Sequence, residues 1–222
     1  MARALILGAS RGIGLELVRQ YLADGWDVSA TARGEADCAR LAGMGAQARQ
    51  LDVTDPATIA ALAGALDGQA FDAVFLNAGV FGPRHEGAPT EEEFDQVMHT
   101  NVLAAMRLLP VLAPMVAKAG GKLAVLSSIM GSNGARDNPN ATLYRASKAA
   151  LNSVLTDTAL RYGPTGATCI AFHPGWVRTE MGGAGASLDV EESVEGMRAT
   201  LAQLDSASNG EFLNYDGAPL PW

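Results

Sequence analysis

Tyr144 and Lys148 are the pair in this sequence best suited to acid–base chemistry. They lie four residues apart in TLYRASKAALNSVL, so on a helix they share one face, one turn from each other. A free tyrosine has a pKa of about 10 and keeps its proton at neutral pH; nearby positive charge lowers that value and makes the phenol a usable proton donor. Ser128 follows an apolar run, Lys122 to Ser127, that reads as a strand, and a polar, glycine-rich stretch from Gly131 to Asn140 separates it from Tyr144. Asn101 falls among apolar positions of a helix expected to begin near Glu91, where Thr90 and Glu93 make a capping box. That helix should run through Phe94, Val97, Val102, Met106 and Leu109, with Pro110 and Pro114 bending or ending it. An amide turned inward there needs partners.

The elements that must position these side chains begin at the amino end. Ala4 to Leu7 are apolar without alternation, as a strand covered on both faces should be, and Leu15, Val18, Tyr21 and Leu22 recur at helical spacing. Between them lies GASRGIG, in which Gly8, Gly12 and Gly14 fit G-x-x-x-G-x-G and not G-x-G-x-x-G. A turn of this kind, with Ser10, Arg11 and Ile13 in it, lets backbone N–H groups and the positive end of a helix approach a pyrophosphate. A second strand, Trp26 to Ala32, ends without the acid that would bind a ribose 2′-hydroxyl; Arg33 follows instead. Arg33 and Arg11 are planar, permanent cations that suit a 2′-phosphate, which favours NADP(H) over NAD(H).

Further strands are expected at Ala46 to Val53, which carries Asp52, and at Phe71 to Leu76, which closes with Asn77, Ala78 and Gly79. A short helix, Pro56 to Leu66, stands between them. Ala167 to His173 reads as a sixth strand, followed by Pro174, Gly175, Trp176, Val177, Arg178 and Thr179. The Gly- and Ala-rich segment Glu180 to Leu188 suits a mobile lid. Asp189 with Glu192 should cap a last helix before a short strand, Gly210 to Tyr215. Strand-like and helix-like segments alternate throughout, the pattern of a parallel sheet with helices on both faces.

The chain has 222 residues, 48% of them hydrophobic, enough for one substantial core. A formal net charge of −8 opposes nonspecific attraction to nucleic acid or anionic membrane. The first apolar run is too short for a signal peptide or a membrane span, so a cytoplasmic protein is expected. Cys38 and Cys169 are too few for a disulfide framework or a zinc site, and His85, His99 and His173 lie in no metal-ligand spacing.

The glycine turn, the Asn77-Ala78-Gly79 triplet, the strand-end serine and YRASKAAL together resemble the short-chain dehydrogenase/reductase family. YRASKAALN, HPGWVRTEMGG and NYDGAPLPW are most similar to its small C-factor-like and carbonyl-reductase-like branch. The resemblance covers essentially the whole chain and implies one domain, residues 1–222, with strand order 3-2-1-4-5-6-7. It implies an NADP(H)-dependent oxidoreductase that reduces a ketone, aldehyde or quinone, or runs the reverse reaction. Tyr144 would be the proton donor and Lys148 would lower its pKa and bind the ribose. Ser128 would orient the substrate oxygen, the longer loop before Tyr144 leaving Ser127 open for that role, and Asn101 would distort its helix and hold a relay water. Asp52 would meet the adenine amino group beside Val53, Asn77 would tie strand ends together, Val177 would bond the carboxamide, and Thr179 would lie near the phosphates. The resemblance also implies pairing as a homodimer through the helix from Glu91 and the helix bearing Tyr144, although monomers occur in the branch. A second reading is a dinucleotide-responsive signalling protein with incidental turnover.

Overall fold

Ala4, Leu5, Ile6 and Leu7 have no exposed surface, so the strand they form must be covered on both faces. In the computed structural model, which describes residues 1–85 and 87–222, this strand is β1 (Arg3–Leu7). The others are β2 (Asp27–Ala32), β3 (Gln47–Gln50), β4 (Ala73–Leu76), β5 (Lys122–Leu126), β6 (Thr168–His173) and β7 (Phe212–Asn214). All seven pair in parallel, in the order β3-β2-β1-β4-β5-β6-β7. Alternate residues of each strand serve opposite layers. Leu5, Leu7, Val74, Leu76, Leu123 and Val125 join one apolar cluster; Ala4, Ile6, Phe75, Ala124, Ile170 and Phe172 join the other. A one-residue slip of any inner strand would exchange the two sets, so burial fixes the register.

The first layer is built on α3 (Pro56–Ala65), α5 (Ala104–Ala119) and α6 (Thr142–Tyr162); the second has α1 (Gly12–Ala23) and α7 (Val190–Gln203) at its centre, with α2 (Glu35–Gly43) beside them. The order of connection reverses between β1 and β4, so the loops after their carboxyl ends diverge and leave a crevice. Gly8 follows one of these strands and Asn77 the other.

Several expected boundaries move. The third strand stops at Gln50, before Asp52 and Val53, and the last one shortens to Phe212–Asn214. The segment from Glu91 is not one continuous α-helix: α4 (Glu91–Met98), capped by Thr90 and Glu93, passes through a π-helical turn, His99–Leu103, into α5. Pro110 and Pro114 do not end it. They lie four apart on its exposed face, so the carbonyls of Met106 and Pro110 that lose a helical partner face water. The opposite face buries Leu108, Leu109, Leu112 and Val116 completely. Glu91–Ala119 is long and apolar enough by composition to cross a membrane, and here that apolar stripe packs on the sheet. Asp189 occupies the position before α7 without capping it by its side chain; the carboxylate accepts instead from Arg178 Nε at 2.7 Å.

Candidate active site

The turn after β1 is shaped by what cannot fit in it. Gly8 and Gly12 take φ of +85° and +54°, the left-handed region that disfavours side chains. A Cβ on Gly14 would overlap the Gly8 carbonyl oxygen and sit 2.6 Å from Asn77 Nδ2. That amide donates to the same carbonyl at 2.6 Å, so Asn77 ties the ends of β1 and β4 together across the crevice. Arg11 stands at the N-cap of α1 with no side-chain cap bond, so the first amides of the helix lie open at the cleft wall formed by Gly12 and Ile13. Small residues and open helix-end donors fit a dinucleotide pyrophosphate.

The cleft, about 920 Å³, runs from this turn to Tyr144 and Lys148. Gly8, Ser10, Arg11, Gly12, Ile13, Arg33, Asp52, Val53, Asn77, Ala78, Gly79, Tyr144, Lys148, Pro174 and Thr179 line it. Gly14, Asn101, Ser128, Gly175 and Val177 do not. Gly14 and Asn101 stand behind the wall, and Val177 is buried, its carbonyl accepting from Thr179 N at 2.8 Å. Gly175, at φ +84°, turns the chain against Leu188 and Tyr215. Asp52 accepts from Thr54 Oγ1 at 2.7 Å and from its N–H at 2.9 Å, bonds that hold its carboxyl below the usual range.

At the Arg33 end, Ser10, Arg11, Arg33, Gly34, Asp37 and Arg40 line an adjoining cavity of about 580 Å³. Arg11 pairs with Glu180, and Arg40 pairs with Asp37 at 2.8 Å and donates to the Ser10 carbonyl. Arg33 makes no ion pair with any described residue. Arg40, on α2 after Arg33, was not singled out in the sequence; its half-exposed side chain reaches the Ser10 carbonyl only through the fold.

At the other end, α6 carries Tyr144 and Lys148 into the wall. The Ser128 hydroxyl lies close enough to the Tyr144 phenol to lower its pKa, and it accepts from Met130 N at 3.2 Å. Ser127, unlike Ser128, borders the cleft, but its hydroxyl is already bound to Asn152 Oδ1 at 2.5 Å. Burial pushes the Tyr144 phenol up to about 12, against the pull of the Ser128 hydroxyl, and pushes the Lys148 ammonium down to about 8. The phenol is therefore held above its ordinary value, not below it as expected. Lys148 Nζ donates to Leu126 O at 2.7 Å and stands 5.7 Å from the centre of the phenol ring, too far to outweigh desolvation. Each group is kept neutral more readily than in water.

Asn101 sits in the π-helical turn, 2% exposed. Its Oδ1 accepts from Val80 N at 2.8 Å; its Nδ2 donates to Val80 O at 2.8 Å and Ser147 Oγ at 2.9 Å. Ser147 Oγ donates in turn to the Tyr144 carbonyl at 2.8 Å. The inward amide thus ties the loop after β4 to α6. A Cβ on Gly79 would lie 3.2 Å from Asn101 Oδ1 and 3.5 Å from Lys148 Nζ, so the glycine leaves these two groups a shared approach.

The loop before Tyr144 is held by residues that sequence reasoning missed. Arg145, 5% exposed, donates to Asn140 O at 2.8 Å, Asn138 Oδ1 at 2.9 Å and Asn140 Oδ1 at 3.0 Å. Gly131 touches the backbone of Lys148, where a Cβ would come within 2.8 Å. Ser132 Oγ donates to Pro221 O at 2.6 Å and Gly134 N to Trp222 O at 3.0 Å. The segment expected to be a mobile lid is likewise tethered: Trp176 Nε1 donates to Gly182 O at 2.9 Å, Arg178 Nη1 to Ala186 O at 2.7 Å, and Gly182 N to Thr179 Oγ1 at 3.1 Å.

A family model described as short chain dehydrogenase matches residues 2–187. The chain belongs to the short-chain dehydrogenases. It is 33% identical to C-signal of Myxococcus xanthus over 153 residues, 68% of this chain and 92% of that protein. The carbonyl reductase Sniffer of D. melanogaster superposes with a TM-score of 0.90 at 29% identity, covering 100% of both chains. The NADPH-bound carbonyl reductase from chicken fatty liver superposes with a TM-score of 0.89 at 33% identity, covering 100% of this chain and 99% of that one.

Proposed function

We propose that this short-chain dehydrogenase is an NADP(H)-dependent reductase of ketones, aldehydes or quinones, or runs the reverse oxidation, with a proton passing through Tyr144. The observation that carries the reading is that Tyr144 and Lys148 line one end of a cleft whose other end holds Arg11 and Arg33, with Arg40 in the cavity adjoining it. The NADPH in the chicken carbonyl reductase supports the choice of cofactor, as does the glycine cradle. When bound, the dinucleotide supplies or accepts the hydride.

The chain's own residues do the rest. Gly8, Ser10, Gly12, Ile13, Gly14, Asn77, Ala78 and Gly79 hold the dinucleotide by its backbone side; Arg11, Arg33 and Arg40 take the 2′-phosphate, Asp52 and Val53 the adenine. Pro174, Gly175, Val177 and Thr179 shape the nicotinamide end. A carbonyl oxygen placed between Ser128 and Tyr144 receives a hydrogen bond from each, and the phenol gives its proton as the alkoxide develops. Lys148, one turn along α6, stabilises the phenolate that is left and binds ribose hydroxyls. Asn101 keeps the Val80 loop against α6 and holds a water through which the proton is replaced. Phe94, Met106 and Leu160, exposed on α4, α5 and α6, support a homodimer through those helices.

The test is consumption of NADPH and NADH against a panel of aldehydes, ketones and quinones, with Tyr144→Phe as control. Unchanged turnover in that variant excludes the mechanism. The similarity to C-signal supports a second reading, a dinucleotide-responsive regulator with incidental turnover. If Tyr144→Phe restored the phenotype of a deletion strain, that reading would lead.

A further inference from the structure

Arg84 follows β4 on the loop that borders the Tyr144 end of the cleft, and its guanidinium is held in place from two sides. It lies 4.5 Å over the centre of the Phe81 ring and donates through Nη2 to Met181 O at 2.7 Å. The Phe81 ring stacks in turn on Tyr144, centres 4.6 Å apart and planes at 28°. The guanidinium therefore lies within those two successive spacings of the acid–base residue, facing the same cleft, which Phe81, Arg84, Gln96, Thr100 and Met181 all line.

Among the described residues its charge is uncompensated. Arg11 is paired with Glu180, Arg40 with Asp37 and Arg178 with Asp189, yet no described carboxylate pairs with Arg84. This is notable in a chain with eight more acids than bases, 24 against 16. Five N–H donors in a fixed plane, one of them used, leave a fork that matches a carboxylate edge to edge. Stacking and the Met181 bond have already restricted the side chain, so little rotamer entropy is left to lose on binding.

We propose that Arg84 selects carbonyl substrates bearing a carboxylate, the anion meeting the guanidinium while the carbonyl reaches Ser128 and Tyr144. This inference rests on the reductase reading and names its substrate class. A phosphate in place of the carboxylate would use the same donors, and the test separates them.

The experiment compares para-carboxybenzaldehyde with its methyl ester as substrates of the full chain, with NADPH, for wild type, Arg84→Gln and Arg84→Lys. A charge-assisted bond contributes about 1.5–3 kcal/mol, so the acid should be preferred in kcat/KM by on the order of tenfold or more, and Arg84→Gln should reduce that ratio toward one. Arg84→Lys, which keeps the charge and loses the fork, should retain part of it. An acid-to-ester ratio near one in wild type, or the same ratio in Arg84→Gln, overturns the proposal while leaving the reductase intact. If neither aldehyde is consumed, the reductase reading fails by itself, and calorimetric titration of the NADPH-loaded protein decides the anion site. Benzoate binding that is lost in Arg84→Gln supports it; binding equal in both proteins, or phenyl phosphate binding where benzoate does not, overturns it.

Discussion

The two ends of the cleft are built by different means. The glycine-turn end is made of backbone and of space: Gly8 and Gly12 at positive φ, Gly14 pressed against the Gly8 carbonyl, and open amides at the start of α1. The Tyr144 end is made of side chains that clasp loops: Arg145 on Asn138 and Asn140, Arg84 on Met181, Trp176 on Gly182. A backbone cradle has few ways to change without collapse. A clasp can be exchanged for another while the fold stands, which is why one scaffold serves many substrates.

The comparison can be broken at either end. The largest effect belongs to Tyr144→Phe: loss of general-acid catalysis should lower NADPH turnover by about 10²–10⁴-fold while the cradle, untouched, still binds NADPH in a fluorescence titration. Loss of binding along with turnover would mean that the two ends are not separable. Next, Arg33→Ala with Arg40→Ala should lower the preference for NADPH over NADH by on the order of tenfold to a hundredfold, read from Kd values, as charge-assisted bonds to one phosphate disappear. An unchanged preference would show that both arginines are only solvated.

Gly14→Ala places a methyl group against backbone and should destabilise the protein by about 1–3 kcal/mol, seen as a fall in Tm of several degrees. An equivalent Tm for the variant would refute the close-packing account. The most pH-specific effect concerns Lys148, whose ammonium is pushed down to about 8 in the fold from about 10.4 in an unfolded chain. Between those values the unfolded state binds more protons, so stability rises with pH through that window; below it the full cost of the buried charge is present. Lys148→Met should therefore gain stability relative to wild type near pH 7, with the gap narrowing as pH approaches 10. Tyr144, raised to about 12, keeps its proton natively above pH 10 and works the other way there, equally in both proteins. A gap independent of pH would show that the ammonium is not desolvated.

Legibility in the sequence followed the same division. The glycine spacing, the apolar strand and the Tyr144–Lys148 face could be read because each depends on neighbours along the chain. The choice between Ser127 and Ser128 could not be read locally, since what bears on it is Asn152 taking the Ser127 hydroxyl, a contact set by tertiary packing. The prolines of α5 do not end it as one of the two expectations had it: propensity penalises the lost bond, whereas exposure of Met106 and Pro110 lets water replace it. Phe81, Arg84, Arg40 and Arg145 carry no local signal: arginines on loops and outer helices look solvated until the fold shows what they touch. The phenol's raised value, too, could not be foreseen from spacing, since it depends on how deeply α6 sinks the ring.

The bonds from Gly134 N and Ser132 Oγ to the carbonyls of Trp222 and Pro221 also bear on how the protein should be handled. A change that displaces Pro221 or Trp222 acts on the loop that leads into Tyr144. Met1 is 96% exposed and precedes the strand end opposite the cleft, so a change at its side chain leaves that loop alone.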